Sequence, residues 1–383
     1  MKQLTEGEMV THASRLLGVD AKYLQPFSST DPFNEGNLIE GALCQKPNHL
    51  YGGLGIVRVN GEECPQVIFA TPKLHYPFGK DGTFHFPPVK DIHVYEKLDG
   101  TNVLAYSYQD SSGEVFRSYK LRLAPFLRNG KWGNFLDMWK GLLEKYPEAK
   151  NVGLSERLHV SFEMYGSKNE HLIRYSNELD LAVLFAIQRD SGSLVPLDEM
   201  DTKGAPVPQM VGRVSSKENP VEAFARLREK MESGNTPDSD GKIKGTEGSV
   251  WYVRSPSGAT SMWKCKPESV EQIHWATGIN KEAVMATCWN LLESSDNLTY
   301  EALLPLLQEE YQEDDIIKFR QHIDKCVEEV NREQEFRITV RTAYDTLKED
   351  GLDIKKDKSA VMRALSRQFP REQMTKVYTA LGK

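Results

Sequence analysis

The chain has 383 residues, 39% of them hydrophobic and 27% charged, with a formal net charge of −7. That is the composition of a folded globular protein of two-domain length. It argues against disorder, a fibrous repeat, or a chain that coats nucleic acid through bulk positive charge, and leaves room for a local basic groove. Cys44, Cys64, Cys265, Cys288 and Cys326 are odd in number and lack a CxxC pair, so neither a disulfide framework nor a zinc site is expected.

The opening segment MKQLTEGEMVTHASRLLG predicts an amphipathic helix; Glu6 and Glu8 and the lack of an apolar stretch exclude a signal peptide. No run approaches the ~20 apolar residues of a membrane span, and a cytoplasmic protein is expected. Between Leu50 and Phe69 the apolar runs GGLGIVRV and PQVIFA flank Asn60-Gly61, a strong hairpin signal. A second strand pair, IHVYEKL and TNVLAYSYQ, is expected to flank Asp99-Gly100, and Ser111-Ser112-Gly113 turns into EVFRSYKLRL. Phe135, Met138, Trp139, Leu142 and Leu143 recur at helical spacing and predict a helix over about 133–146.

LHVSFEMYG and LDLAVLFAIQ read as strands, residues 200–220 as a Pro/Gly-rich connection, and VEAFARLREKME as a helix. Ser233 to Gly245, rich in Gly, Asn, Pro, Asp and Ser, is expected to be a mobile loop. GSVWYVRS and TSMWKCKP form a last hairpin around Pro256-Ser257-Gly258, and beyond Pro267 every segment carries helical periodicity. The expectation is an α+β domain of antiparallel strands and interspersed helices over 1–267, followed by an all-helical domain over 268–383. Near the end, Lys355, Lys356, Lys358, Arg363, Arg367, Arg371, Lys376 and Lys383 stand against Asp357 and Glu372. A solvated helix face is the first reading of that excess and an RNA-docking patch the second.

Five segments set charge inside or beside apolar strands. They are Glu96-Lys97-Leu98-Asp99-Gly100, the strand with Arg117, Lys120 and Arg122, Phe162-Glu163-Met164, Glu247-Gly248, and Trp263-Lys264-Cys265-Lys266. A lone KxDG is most often a surface turn, and a lone Glu in a strand is most often an ion-pair partner. The set points further. Lys264 and Lys266 alternate with Trp263 and Cys265 and so share one strand face. Cations clustered with Lys97 would favour a neutral, nucleophilic amine and neutralise a triphosphate. Glu163 and Glu247 together supply hard oxygen ligands for Mg²⁺. Such an inventory suits attack of an amine on the α-phosphate of ATP, with pyrophosphate as leaving group. The chain has no GxxxxGK[ST] loop, which excludes a Walker-type ATPase.

In order and spacing, EKLDGTN, SFEMYG, LAVLFAI, GTEGSVW and WKCKP resemble motifs I, III, IIIa, IV and V of the covalent nucleotidyltransferases, the superfamily of ligases and mRNA capping enzymes. The likeness is strongest to the phage RNA ligase 1 family and extends upstream, where GIVRVNGEECPQVIFATPKLHYPF of this chain resembles that family's pre-motif hairpin and its following Pro and aromatic residues. The resemblance implies an antiparallel-sheet, ATP-grasp-like adenylation domain. It implies an ATP-dependent RNA ligase that joins RNA 5′-phosphate and 3′-hydroxyl ends through lysyl-AMP and 5′-adenylated RNA, in RNA or tRNA repair. Lys97 would be the adenylated nucleophile, beside Glu96, and Asp99 would set its turn and the metal environment. Asn102 would serve sealing, Glu163 the ribose or metal, and Glu247 the catalytic Mg²⁺, with Mn²⁺ as substitute. Lys264 and Lys266 would grip the α-phosphate. Phe185 would stack on adenine, a core phenylalanine being the other reading.

Two positions depart from the family pattern. Thr71 stands where the family carries Arg, with Lys73 as substitute, and Arg117, Lys120 and Arg122 compete for motif Ia, with Lys120 favoured. Helices rather than the five short strands of an OB-fold follow Lys266, which favours RNA ligase over DNA ligase and capping enzyme. The helical domain would then choose the RNA by shape and backbone contacts. The alternatives are a DNA or mixed-strand ligase and a non-catalytic RNA-binding protein on a ligase fold. The sequence leaves the oligomeric state open.

Overall fold

The computed structural model describes residues 4–382 apart from 47, 80, 81, 130–133, 239–241, 276–278, 280, 296, 312, 350 and 355. Helix α1 (Glu6–Leu17) starts at a reciprocal Thr5/Glu8 capping box and ends at Gly18 in the left-handed conformation. Its apolar stripe, Met9, Ala13 and Leu17, packs on a four-stranded antiparallel meander. The meander is β1 (Leu24–Thr30), β2 (Leu38–Cys44), β3 (Leu54–Val59) and β4 (Glu62–Ile68). Asn60 and Gly61, at φ 55° and 80°, make the β3–β4 turn, the double left-handed geometry that a tight hairpin requires. Strands β1 and β2 were not foreseen. LQPFSST and LIEGALC lack a clean alternation, because β2 is buried along almost its whole length.

The chain continues through β5 (Asp91–Glu96), β6 (Thr101–Gln109), β7 (Val115–Lys120), α2 (Phe135–Lys145), β8 (Leu158–Tyr165), β9 (Asp180–Gln188) and β10 (Leu194–Val195). Then follow β11 (Met210–Ser215), α3 (Pro220–Gly234), β12 (Thr236–Pro237), β13 (Ile243–Lys244), β14 (Ser249–Arg254), β15 (Thr260–Cys265) and α4 (Glu268–Trp275). Two further antiparallel sheets result, in orders β10-β9-β8-β6-β7 and β11-β5-β14-β15, with β12 and β13 paired on their own. The expected pairing of β5 with β6 is therefore wrong. They lie in different sheets, and Lys97–Gly100 crosses between them rather than closing a hairpin. The crossing is tight: a Cβ at Gly100 would lie 2.2 Å from the Met164 carbonyl oxygen of β8.

Two other expectations need revision. Residues 200–220 contain strand β11, paired with β5 through a bulge at its start. The expected loop Ser233–Gly245 begins inside α3 and carries the β12–β13 pair, while 239–241 lie outside the described residues. The predicted 133–146 helix runs as Phe135–Lys145, and position 133 lies outside the described residues. Helix α3 covers one face of the β5-containing sheet, burying Ala223 and Phe224 among Ile92, Val94, Val214, Trp251 and Val253. On the opposite face of that sheet, the Tyr252 hydroxyl donates to the Leu184 carbonyl of β9 at 2.9 Å, tying the two sheets together.

By contacts the chain divides into Met1–Arg128 with Phe135–Thr277, and Asn129–Asn134 with Gly278–Lys383. Beyond residue 278 the elements of the second unit, among the described residues, are helices: α5 (Lys281–Ser294), α6 (Tyr300–Glu310), α7 (Glu313–Lys318), α8 (Arg320–Glu349), α9 (Lys358–Leu365) and α10 (Met374–Gly382). The 30-residue α8 is its spine, against which α5, α6, α9 and α10 pack. Val340, Val361, Leu365, Phe369 and Val377 form the core at one end. Lys356, Lys358, Arg363, Arg367, Arg371 and Lys376 are exposed; Lys355 and Lys383 lie outside the described residues. The whole is an α+β protein with antiparallel sheets and a helical C-terminal region. No helix among the described residues is long and apolar enough to cross a membrane.

Candidate active site

The inter-sheet crossing carries Lys97 at the end of β5, where its backbone N–H donates to the Gly248 carbonyl at 2.9 Å. Its ammonium lies 2.5 Å from Glu247 Oε2, and the other oxygen of the same carboxylate lies 3.1 Å from Lys266 Nζ. Glu247 thus bridges the lysine of the first segment and the last lysine of the fifth, although 150 residues separate Lys97 from Glu247. Glycine makes this approach possible. Gly248 has φ 151°, and a Cβ there would sit 2.2 Å from the Cys265 carbonyl oxygen, so the loop can lie flat against β15 only without a side chain.

Glu163 enters from β8, opposite Asn102 of β6. The Asn102 amide donates to Ser161 Oγ at 2.8 Å and to the Phe162 carbonyl at 3.1 Å. Burial pushes the Glu163 carboxyl up to about 8; the negative charges of Glu247 and Asp99 add to the effect and Lys97 opposes it. Burial also raises the carboxyl of Glu96. Phe185, opposite Ser161 in β9, is buried on the same sheet face as Asn102 and Glu163.

Lys97 itself departs from the expected neutral amine. Burial disfavours its ammonium and Lys266 repels it, yet Glu247 and Glu163 outweigh both, and its pKa stands above the ordinary lysine value. In this state the amine is protonated and paired.

The fifth segment is anchored from two directions. The Lys264 N–H donates to the His75 carbonyl at 2.8 Å, and its ammonium lies 4.8 Å from the centre of the Tyr76 ring. Burial lowers the His75 pKa, with Lys73 and Lys264 adding repulsion, which places Lys73 in the same electrostatic neighbourhood. Arg228 of α3 donates to the Lys266 carbonyl at 3.0 Å and forms an ion pair with Glu271 of α4. Lys264 and Lys266 are 5% and 2% exposed, so neither is a solvated edge lysine.

Other expected participants sit elsewhere in the hydrogen-bond network. Asp99 Oδ2 accepts from the backbone N–H groups of Leu172 and Ile173, both at 2.6 Å, and the Asp99 N–H donates to the Tyr175 hydroxyl at 2.8 Å. Asp99 therefore organises the 172–175 loop beside Lys97. The Lys120 ammonium, the favoured motif Ia residue, donates to the carbonyls of Gly52, Leu121 and Arg122 at 2.8, 2.7 and 3.0 Å and so acts as a buried staple. Burial, with Arg122, lowers its pKa to about 7. Arg122 donates to the Thr71 carbonyl at 3.3 Å, and the Arg117 guanidinium is buried beside Tyr119.

Among the described residues, no group of three or more His, Cys, Asp or Glu is poised to hold a metal ion. Glu163 and Glu247 nonetheless fit Mg²⁺, which uses one or two carboxylates and takes its remaining ligands from phosphates and water. The upward shift of Glu163 comes chiefly from burial, with the negative charge of Glu247 adding to it, so a cation bound there would take the place of a proton.

Several contributors were missed from sequence. Tyr175, Arg228, Asn235 and Glu271 sit in segments whose local pattern is a loop or an ordinary helix. Only their long-range partners, 76, 38, 11 and 43 residues away in sequence, reveal them.

No protein-family model matches the chain, and no curated protein matches it. Among solved structures it is similar to an archaeal ATP-dependent RNA ligase in two forms. One form is 18% identical with TM-score 0.48, over 83% of this chain and 78% of the other. The second is 15% identical with TM-score 0.48, over 94% and 90%. A protein described as an ATP-dependent DNA ligase from Aquifex aeolicus is 14% identical with TM-score 0.42, over 95% and 88%. Likenesses this slight fix neither family nor activity, which have to be read from the chain's own residues.

Proposed function

We propose that this protein is an ATP-dependent RNA ligase working through a Lys97–AMP intermediate. The observation that carries the reading is the Glu247 bridge, which brings the half-buried primary amine of Lys97 and the buried ammonium of Lys266 to one carboxylate. A structural ion pair needs one cation; two lysines on one buried carboxylate, with a second carboxylate beside them, have the makings of a transfer site.

In the resting protein Glu247 holds Lys97 as ammonium. Nucleotide phosphates compete for Lys266 and Lys264, which loosens Lys266 from Glu247 and leaves that carboxylate to accept the Lys97 proton. The amine nitrogen then bonds to the α-phosphorus as the bond to the β-phosphate oxygen breaks, and pyrophosphate carries away the electron pair. Lys264 and Lys266 balance charge on the α-phosphate. When bound, a divalent cation would be held by Glu163 and Glu247 and would supply further charge neutralisation. An RNA 5′-phosphate oxygen next displaces Lys97 from AMP, and an RNA 3′-hydroxyl displaces AMP to seal the strand. Phe185 gives the adenine an apolar wall, and Asn102 holds the floor of the site between β6 and β8.

Labelled ATP, Mg²⁺ and a denaturing gel test the first step. Label should remain on the wild-type chain and be absent from Lys97→Ala. An unlabelled wild type, or a labelled Lys97→Ala, would defeat the enzyme reading. Sealing of RNA, DNA and mixed strands bearing 5′-phosphates then tests the substrate. Efficient joining of DNA alone would make this a DNA ligase.

A further inference from the structure

The loop that carries Glu247 is held from behind by a residue that belongs to none of the five charged segments. Asn235 caps the C-terminus of α3, and its N–H donates to the Glu232 carbonyl at 3.1 Å. Its side chain makes a reciprocal pair with the backbone of Thr246: Oδ1 accepts from the Thr246 N–H at 2.8 Å, and Nδ2 donates to the Thr246 carbonyl at 3.0 Å. Nδ2 also reaches Ser269 Oγ at 3.3 Å, while the Ser269 N–H donates to Glu232 at 2.8 Å. One side-chain amide thus imitates a strand neighbour for the residue just before Glu247, and ties that residue to the start of α4.

The preceding glycine fits the same device. Gly245 has φ 147°, and a Cβ there would lie 2.1 Å from Asn235 Oδ1, so the clamp and the glycine require each other. From Thr246 the connection runs on to the site. Thr246 Oγ1 donates to the Gly248 carbonyl at 3.0 Å and accepts from the Gly248 N–H at 3.2 Å, and the Lys97 N–H donates to that same carbonyl at 2.9 Å. Two turns earlier in α3, Arg228 holds the Lys266 carbonyl. The C-terminal half of α3 therefore holds both Glu247 and Lys266 from outside the chemistry.

We propose that Asn235 is a positioning residue that sets the Glu247 loop, and through it the spacing of Glu247 from Lys97 and Lys266. It touches no reacting atom. The proposal rests on the ligase reading for its consequence in rate, and on the hydrogen-bond geometry alone for its consequence in structure.

The full chain carrying Asn235→Ala, and separately Asn235→Asp, tests both. By hydrogen exchange, Asn235→Ala should strip protection from the Thr246 and Gly248 amides while β14 and β15 stay protected. Wild-type protection at Thr246 in that variant overturns the proposal, whatever the protein catalyses. In single-turnover AMP attachment, Asn235→Ala should slow the step by on the order of 30-fold or more at saturating ATP, with half-saturation by ATP within about 3-fold of wild type. Asn235→Asp keeps the acceptor and loses the donor, and should fall between. A rate within about 3-fold of wild type, or a loss that tracks melting of the whole chain, rejects Asn235 as a positioning residue. If the wild type takes no AMP, the ligase reading fails by itself and exchange alone decides the role of Asn235.

Discussion

At the scale of single residues, the behaviour of the site turns on how three charges share a buried volume. Glu247 holds Lys97 protonated, so AMP attachment should speed up as pH rises through the Lys97 pKa. Glu247→Gln removes the countercharge that raises that pKa. The rising limb of the rate–pH profile should therefore move to lower pH, while the maximal rate drops by about 10²–10³ for want of the bridge. Single-turnover labelling across pH checks this; an unmoved limb would remove Glu247 as the partner of Lys97.

Glu163 makes the opposite kind of prediction. Its carboxyl keeps a proton up to about 8 in the fold against an ordinary value of 4.5. Between those values the unfolded chain binds fewer protons than the native one, so stability falls as pH rises through the window and the loss is complete above it. Glu163→Gln is uncharged throughout. It should stabilise the fold by on the order of a few kcal/mol near about pH 9 and leave it nearly unchanged near about pH 4. Denaturant titrations at the two pH values measure the difference.

At the scale of elements, two glycine-dependent or lysine-dependent junctions separate structure from chemistry. Gly248→Ala places a Cβ against the Cys265 carbonyl oxygen in a conformation that favours glycine. The loop should move, and with it Glu247, so AMP attachment should fall by about 10²-fold or more. Circular dichroism should show the sheets intact. Lys120→Met tests whether the staple is structural alone. It leaves the carbonyls of Gly52, Leu121 and Arg122 without their shared donor. Unfolding free energy should drop by about 2–4 kcal/mol, while the AMP-attachment rate of the folded fraction stays near wild type. A selective loss of rate without loss of stability would restore Lys120 to the site.

At the scale of the whole molecule, the division of the chain sets where it can be cut. Helix α4 belongs to the first unit, and its Ser269 and Glu271 pair with Asn235 and Arg228. A fragment ending at Thr277 keeps those partners; one ending at Pro267 loses them. The longer fragment should attach AMP within about 10-fold of the full chain, and the shorter should lose most of that activity. If the helical unit serves RNA choice, both should seal RNA poorly. Equal AMP attachment by the two fragments would show that α4 plays no part in holding Lys266.

Local pattern alone determined the first helix, the Asn60-Gly61 hairpin, most of the strands, and the switch to helices after Pro267, because turn chemistry and periodicity act over a few residues. It also marked Lys97, Glu163, Glu247, Lys264 and Lys266, since charge within apolar strands is visible without coordinates. Pairing was beyond its reach. That Asp99-Gly100 crosses between sheets, that Lys120 serves three carbonyls, and that Lys97 rests as a paired ammonium depend on neighbours distant in sequence. Asn235 is the clearest instance. In sequence it is one polar residue in a loop-like stretch, and it acquires a role only where folding brings the Thr246 backbone within hydrogen-bond reach, since burial and partner geometry are properties of the assembled chain.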